Sequence, residues 1–330
     1  MTLSVLFLGG TGTISSWCAR RAVDAGITLT VLNRGTTTRR PLPERVEELR
    51  GNARDPDSVR AAIGDRRFDV VVDFVAFLPE HVAADIEVFR GRTGQFIFIS
   101  SASAYQKPVG RLPITESTPL HNPFWKYSRD KIACEELLIN AYRSEGFPAI
   151  IVRPSHTYDD LRTPLLGGHA DIDRMRAGRP VLVHGDGTSL WTLTHSSDFA
   201  VAFTGLLGDR RTVGDAFTIT SDEALTWDQV YRAIGAAAGA EPDLVHVSSE
   251  TIARYAPSLG PGLLGDKAHS VVFDNTKIKS VVPSYVCTVP YAEGARRIVA
   301  AYDADPSLAT PNQEFEAVYD ALVGLATSAP

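Results

Sequence analysis

Leu8-Gly9-Gly10-Thr11-Gly12-Thr13-Ile14-Ser15 follows the apolar run Val5-Leu6-Phe7-Leu8 and precedes a helical pattern over 14–25 that ends near Gly26. A strand, a glycine-rich turn and a helix in that order predict a dinucleotide-binding unit. Glycine permits the tight turn and lets a pyrophosphate approach the backbone N–H groups at the helix N-terminus. Gly9-Gly10 alone would be compatible with a simple turn; the flanking strand and helix give the motif its weight. Ser15 occupies the third small position, where the helix must sit close to the strand.

The same alternation continues outward from this unit. Strand patterns at 28–32, 46–50, 68–74, 95–99 and 149–152 are separated by helical patterns at 55–63, 79–89 and 125–142. Continuous apolar strands alternating with helices predict an α/β fold with a doubly wound, Rossmann-type parallel sheet covered on both faces. After Arg153-Pro154 the texture changes, with Pro and Gly concentrated over 154–187 and a second loop-rich stretch at 255–265. Residues 1–155 are therefore read as the dinucleotide-binding domain, completed by returns to its sheet near 190–222. Residues 156–330 are read as a smaller, predominantly substrate-binding α/β region with helices at 226–238, 291–302 and 312–325.

Composition narrows the partners. The chain has 330 residues, 44% of them hydrophobic, enough for a sizeable core. Its 39 acidic and 33 basic residues give a net charge of -6 with no block of like charge, so neither nucleic acid nor a membrane surface is an expected partner. Cys18, Cys134 and Cys287 lack disulfide or metal-ligand spacing, and the apolar N-terminal run is too short for a signal or membrane helix. A cytoplasmic protein without a metal centre is expected.

The end of the second strand bears on cofactor choice. A carboxylate there binds the adenosine ribose of NAD, whereas an arginine accommodates the 2′-phosphate of NADP. This chain has Asn33-Arg34, followed by Arg39 and Arg40, which favours NADP and leaves NAD usable if Arg34 only stacks on adenine. Gly51-Asn52 and Ala76-Phe77 fall along the same edge, where Asn52 either pairs with adenine or caps the next turn.

Tyr127 and Lys131 lie one helical turn apart, on one face. An ammonium and a nicotinamide cation together stabilise a phenolate, making the tyrosine usable as an acid/base. The turn Ser100-Ser101-Ala102-Ser103-Ala104-Tyr105 after the fifth strand brings a hydroxyl to the same substrate oxygen.

These motifs, with Arg153-Pro154-Ser155-His156-Thr157-Tyr158 and His195-Ser196-Ser197-Asp198, make the chain similar over nearly its whole length to the extended short-chain dehydrogenase/reductase family, which includes NAD-dependent epimerases and dehydratases. The resemblance implies that Ser101 orients the substrate oxygen, Tyr127 is the acid/base, and Lys131 tunes Tyr127 and binds ribose. It implies cofactor binding by Gly9, Gly12, Thr13, Ile14, Asn33, Arg34, Asn52, Ala76, Lys131 and Pro154, and a homodimer through the helices at 79–89 and 125–142. The expected reaction is hydride transfer at a secondary alcohol or ketone of a sugar-like or nucleoside-like molecule. The alternative is a catalytically silent cofactor-sensing or RNA-associated protein of the same fold.

Departures from the family bear on the substrate. Ala102-Ser103 stands where 4,6-dehydratases resemble Asp-Glu; His156 replaces an asparagine, and Trp191 a diphosphate-binding arginine of the epimerases. Ser103, His156 and Trp191 are the expected substrate contacts, with His156 as hydrogen-bonder or second proton donor. Trp125 is assigned to neither core nor pocket, and Asp198 to capping a helix at 199–206. Arg162, Arg174, Arg176 and Lys267 are candidates for gripping an anion, against the ordinary reading of solvated charges.

Overall fold

The computed structural model describes residues 2–36, 39–309 and 313–327. Seven parallel strands form the central sheet: β1 (Ser4–Leu8), β2 (Thr28–Asn33), β3 (Glu47–Arg50), β4 (Val70–Asp73), β5 (Phe96–Ile99), β6 (Ala149–Pro154) and β7 (Ala216–Ile219). Their order is β7-β6-β5-β4-β1-β2-β3. Chain order reverses between β1 and β4, so a crevice opens at their carboxyl ends, where ligands bind in doubly wound sheets. Leu8 pairs with both Leu32 and Asp73, which brings the glycine turn, Asn33 and the β4 end to one edge.

Both faces of the strands are apolar because both are covered. Val5, Phe7, Val31 and Ile97 pack on one side with Cys18 and Ala19 of α1 (Thr13–Asp24) and Phe203 of α5 (Ser196–Leu206). Leu6, Leu8, Val71 and Phe98 face the other side, against Val82 and Ile86 of α3 (Pro79–Phe89) and Cys134 and Leu138 of α4 (Lys126–Glu145). Between β3 and β4 runs α2 (Pro56–Ile63), whose first turn is fixed by Pro56 and by the Asp55 carboxylate accepting from the Asp57 and Ser58 N–H groups. Gly146, with φ 68°, ends α4 in the left-handed cap that glycine favours.

Beyond β6 a second core gathers Tyr158, Trp191, Trp227, Tyr231 and Tyr291. The pair Val181–His184 and Leu244–Val247 is parallel, and helices Trp227–Ala238, Tyr291–Ala304 and Gln313–Thr327 pack around it. Asn312, the expected start of the last helix, lies outside the described residues.

Two expectations need correction. The stretch 255–265, read as loop, contains a helical turn at Gly260–Gly262 running into a π-helical turn at Leu263–Lys267. The helix expected at 199–206 begins earlier, at Ser196, and its cap is His195, which accepts from the Ser197 N–H. Asp198 lies inside the first turn and instead holds the 288–289 segment, accepting from the Thr288 and Val289 N–H groups at 3.0 Å each.

Candidate active site

The glycine turn fits a dinucleotide. Gly9 has φ 84°, and a Cβ on it would come within 2.6 Å of the Val75 side chain. The Gly10 N–H donates to Asn33 Oδ1 at 3.0 Å and the Gly12 N–H to Ser15 Oγ at 2.9 Å, so Asn33 and Ser15 hold the turn open from below. The buried Asn33 Nδ2 has no partner among the described residues. A groove of about 510 Å³, lined by Gly9, Gly12, Asn33, Arg34, Asn52 and Arg54, runs along this edge. It continues into a second hollow lined by Gly12, Thr13, Ile14, Tyr127, Lys131 and Pro154.

The charge at the far end of the groove differs from the sequence expectation. Arg40 grips Asp159 with Nε and Nη2 at 2.6 and 2.8 Å, and Arg39 donates to the Ser307 carbonyl. Neither is aimed at a 2′-phosphate. Arg34 shares the groove with Arg54, whose Nη1 is 3.1 Å from His81 Nδ1 and whose guanidinium lies over Phe77. Burial and then Arg34, against the attraction of Asp73, lower the Arg54 pKa. Asn52 caps its turn through the Arg54 N–H while also lining the groove.

At the inner end, Ser101, Tyr127 and Lys131 converge. A hydroxyl relay orients Ser101: Ser128 Oγ donates to Ser103 Oγ at 2.8 Å, and Ser103 Oγ lies 2.9 Å from Ser101 Oγ. The Ser103 N–H also donates to Ser101 Oγ at 3.2 Å, so the backbone and the hydroxyl of Ser103 both hold that side chain. Ser103 lines the cavity, but its buried hydroxyl serves Ser101. Burial raises the Tyr127 pKa, opposed by a hydrogen bond from Ser101 and the charge of Arg162. Lys131 Nζ donates to the Ala76 and Ile99 carbonyls at 2.7 Å each, and burial pulls its pKa down to about 8. Ala76 therefore meets the site through its carbonyl, positioned by the bond from its N–H to Asp73 Oδ1 at 2.7 Å.

A buried ion pair underlies this arrangement. One turn beyond Lys131, Glu135 receives Arg153 Nη2 at 2.5 Å and Nε at 3.0 Å, and accepts from Ser100 Oγ at 2.5 Å. Arg153 also donates to the Tyr105 hydroxyl at 3.1 Å. The network locks α4, β6 and the serine turn together beneath Ser101.

Beyond Tyr127 lies a cavity of about 280 Å³, lined in part by Ser101, Ser103, Tyr127, His156 and Trp191. Trp191 Nε1 donates to His156 Nδ1 at 3.1 Å, and its ring lies 5.3 Å from that of Trp227. Burial, then Lys267 and Arg162, hold His156 well below the ordinary histidine range. Of the two roles expected for His156, hydrogen-bonder or second proton donor, this lowered pKa fits the hydrogen-bonder. Trp125, assigned to no role from sequence, also lines this cavity, 4.9 Å from the Tyr127 ring. Arg162 and Lys267 face it as well, whereas Arg174 is paired with Glu316 and Asp320, and Arg176 with Asp303. Sequence reasoning placed Phe77 along the cofactor edge beside Ala76 but missed Glu135 and Asp73; only the position of Asp73 at the end of an apolar strand hinted at a role.

Comparison with known proteins bears on the family and the fold. The profile of the NAD dependent epimerase/dehydratase family matches residues 5–219. The chain is 29% identical over 290 residues to 2'-dehydrokanamycin reductase of Streptomyces kanamyceticus, covering 86% of this chain and 80% of that protein. It is also 29% identical over 256 residues to the chloroplast stem-loop binding protein of 41 kDa b of Arabidopsis thaliana, covering 73% of this chain and 65% of that protein. Among solved structures, dTDP-glucose 4,6-dehydratase from Bacillus anthracis in complex with NAD superimposes with a TM-score of 0.75 at 17% identity, over 93% of this chain and 98% of that one. That likeness bears on the fold alone. The chain is an enzyme of the NAD dependent epimerase/dehydratase family, an extended short-chain dehydrogenase/reductase.

Proposed function

We propose that this protein reduces a ketone of a sugar-like small molecule to a secondary alcohol, favouring NADPH, with Tyr127 as the proton donor. The observation that carries this reading is the meeting of the Ser101 and Tyr127 hydroxyls at the junction of the cofactor groove and the substrate cavity. The nicotinamide, when bound, supplies the hydride. Ser101, oriented by Ser103 and Ser128, donates to the carbonyl oxygen and polarises it. Tyr127 then gives its proton to that oxygen; burial keeps the phenol protonated, which suits an acid in the reducing direction. Lys131, fixed by two carbonyls, presents its remaining N–H to the ribose side of the hollow.

The preference for NADPH rests on Arg34, with Arg54 beside it and no carboxylate at the end of β2. A reductase is favoured over a nucleotide-sugar epimerase because the indole of Trp191 stands in place of the diphosphate-binding arginine, and because the reductase relative matches over most of both chains. The intact Ser101–Tyr127–Lys131 set argues against a silent binding protein. We take the protein to be a cytoplasmic homodimer paired through α3 and α4. The testing experiment follows loss of reduced-nicotinamide absorbance with NADPH and NADH against a panel of keto-sugars. Turnover that is faster with NADPH supports the reading, and no turnover with any ketone opposes it.

A further inference from the structure

Proton and hydride transfer to a ketone require no cation in the substrate cavity, yet two face it. Lys267 and Arg162 both line the cavity, and Arg162 also lines its junction with the cofactor hollow. Their proximity is visible in its effect: after burial, with Asp266 opposing, the charge of Arg162 lowers the Lys267 pKa. Neither side chain forms an ion pair among the described residues. Asp266, the carboxylate beside them, already faces Lys107, whose fully buried ammonium lies 3.4 Å away and has no hydrogen-bond partner among the described residues. One carboxylate thus faces both Lys107 and Lys267, an excess of one positive charge, and the exposed Arg162 adds a further cation to the cavity lining. Burial of the Lys107 and Lys267 ammonium groups makes that excess costly unless a counter-charge arrives, whereas Arg162 is exposed to solvent.

The backbone that carries Lys267 is unusually well fastened. Its carbonyl accepts from His184 Nε2 at 3.2 Å, Ser189 Oγ at 3.3 Å and Trp227 Nε1 at 3.3 Å. Two residues earlier, the Gly265 carbonyl accepts from Asn122 Nδ2 at 2.7 Å, and the same amide donates to the Ser103 carbonyl at 2.9 Å. The π-helical turn Leu263–Lys267 is therefore tied directly to the serine turn that orients Ser101. That tie fixes the backbone of Lys267 relative to the serine turn.

We propose that the cavity binds a compact oxyanion on the substrate, a carboxylate or phosphate monoester, between Lys267 and Arg162 and beside the reacting carbonyl. The anion site stands on its own geometry; that it belongs to a ketone substrate rests on the reductase reading. A cavity of about 280 Å³ lies just below the ~300–1,000 Å³ typical of ligand sites, with room for one ring or a short chain and its acid group. The guanidinium fork of Arg162 and the point charge of Lys267 suit such an anion.

Trp125 and Trp191 line the cavity and report its occupancy through their fluorescence. With saturating NADP covering the cofactor groove, the protein is titrated with inorganic phosphate and with acetate at ionic strength fixed by chloride. A saturable change is expected, weakened about tenfold or more in Lys267→Met and in Arg162→Gln, the scale of a lost charge-assisted contact. Retained NADP binding checks that the variants fold. A second arm compares ketones bearing a carboxylate, a phosphate or a hydroxymethyl group at the same position, and identifies which oxyanion is preferred. Wild type should prefer one charged ketone about tenfold in kcat/KM, and both variants should lose the preference. A change that does not saturate, or that survives both substitutions, overturns the proposal, as does equal turnover of charged and neutral ketones. Intact phosphate binding without turnover of any ketone would overturn the reductase reading and leave the anion site standing.

Discussion

Trp191 Nε1 donates to His156 Nδ1 at 3.1 Å, which puts the imidazole proton on Nε2. His156 is thereby a fixed neutral donor at the cavity wall. Trp191→Phe keeps an aromatic ring against Trp227 and removes the bond that selects the tautomer. The loss of one hydrogen bond, about 0.5–1.5 kcal/mol, predicts a KM raised roughly threefold to tenfold with a smaller change in kcat. Steady-state kinetics of the variant check this; an unchanged KM would remove His156 from substrate recognition.

Arg34 and Arg40, close in sequence, are predicted to behave oppositely. Arg34→Ala should weaken NADP by about 1.5–3 kcal/mol, the range for hydrogen bonds to charged groups, and leave NAD little changed. Arg40→Ala should spare the cofactor and destabilise the fold, because it strands the Asp159 carboxylate, which is 3% exposed. Asn33→Asp should shift preference toward NAD by offering a ribose acceptor and repelling a phosphate. Paired titrations of both cofactors, with thermal melts, separate these outcomes. Equal weakening of NAD and NADP by Arg34→Ala would mean that the arginine only stacks on adenine.

The contrast between those two arginines shows what the sequence makes legible. Local chemistry places α3 well: Pro79 opens it at the expected residue and Arg90-Gly91 follows its end. The strands β1 and β5 are equally plain because both their faces are buried and apolar. Arg40 meets Asp159, a residue 119 positions away, and no local pattern announces such a contact. The turn at Leu263–Lys267 escaped for the same reason: its glycine-rich sequence reads as loop, and it is held by Asn122, His184, Ser189 and Trp227 from elsewhere in the chain. Ser101, Tyr127 and Lys131 were legible because strand end and helix spacing place them. The relay through Ser128 and the charge excess at Lys267 exist only in the folded chain.

Lys131 should leave a pH signature in stability. Its pKa falls from 10.5 in the unfolded chain to about 8 in the folded one, chiefly through burial. Between these values the unfolded chain binds the extra proton, so the contribution of Lys131 to stability is least favourable below about 8 and rises as pH climbs toward 10.5. Lys131→Met lacks that rise. Its stability relative to wild type should therefore decline between pH 7 and 10, by up to about 3 kcal/mol at 1.36 kcal/mol per unit. Urea melts across that range provide the check, and parallel pH profiles would contradict it.

Pairing through α3 and α4 predicts a dimer. Leu137 and Tyr142 on α4 are 36% and 39% exposed, large apolar side chains that two-fold pairing would cover. Leu137→Glu should lower the mass seen by light scattering from dimer to monomer at micromolar concentration. A monomeric wild type would reject the pairing.

In the proposed reaction Tyr127 hands a proton to the substrate oxygen as hydride arrives. The direct measurement is the single-turnover rate of Tyr127→Phe with reduced cofactor and a ketone that wild type reduces, alongside the dissociation constant of the cofactor alone. Removing a general acid costs roughly 10²–10⁴ in rate, and the phenyl ring still packs between Trp125 and Phe77, so a loss of that size is expected with cofactor binding nearly intact. A variant that turns over near the wild-type rate would contradict it.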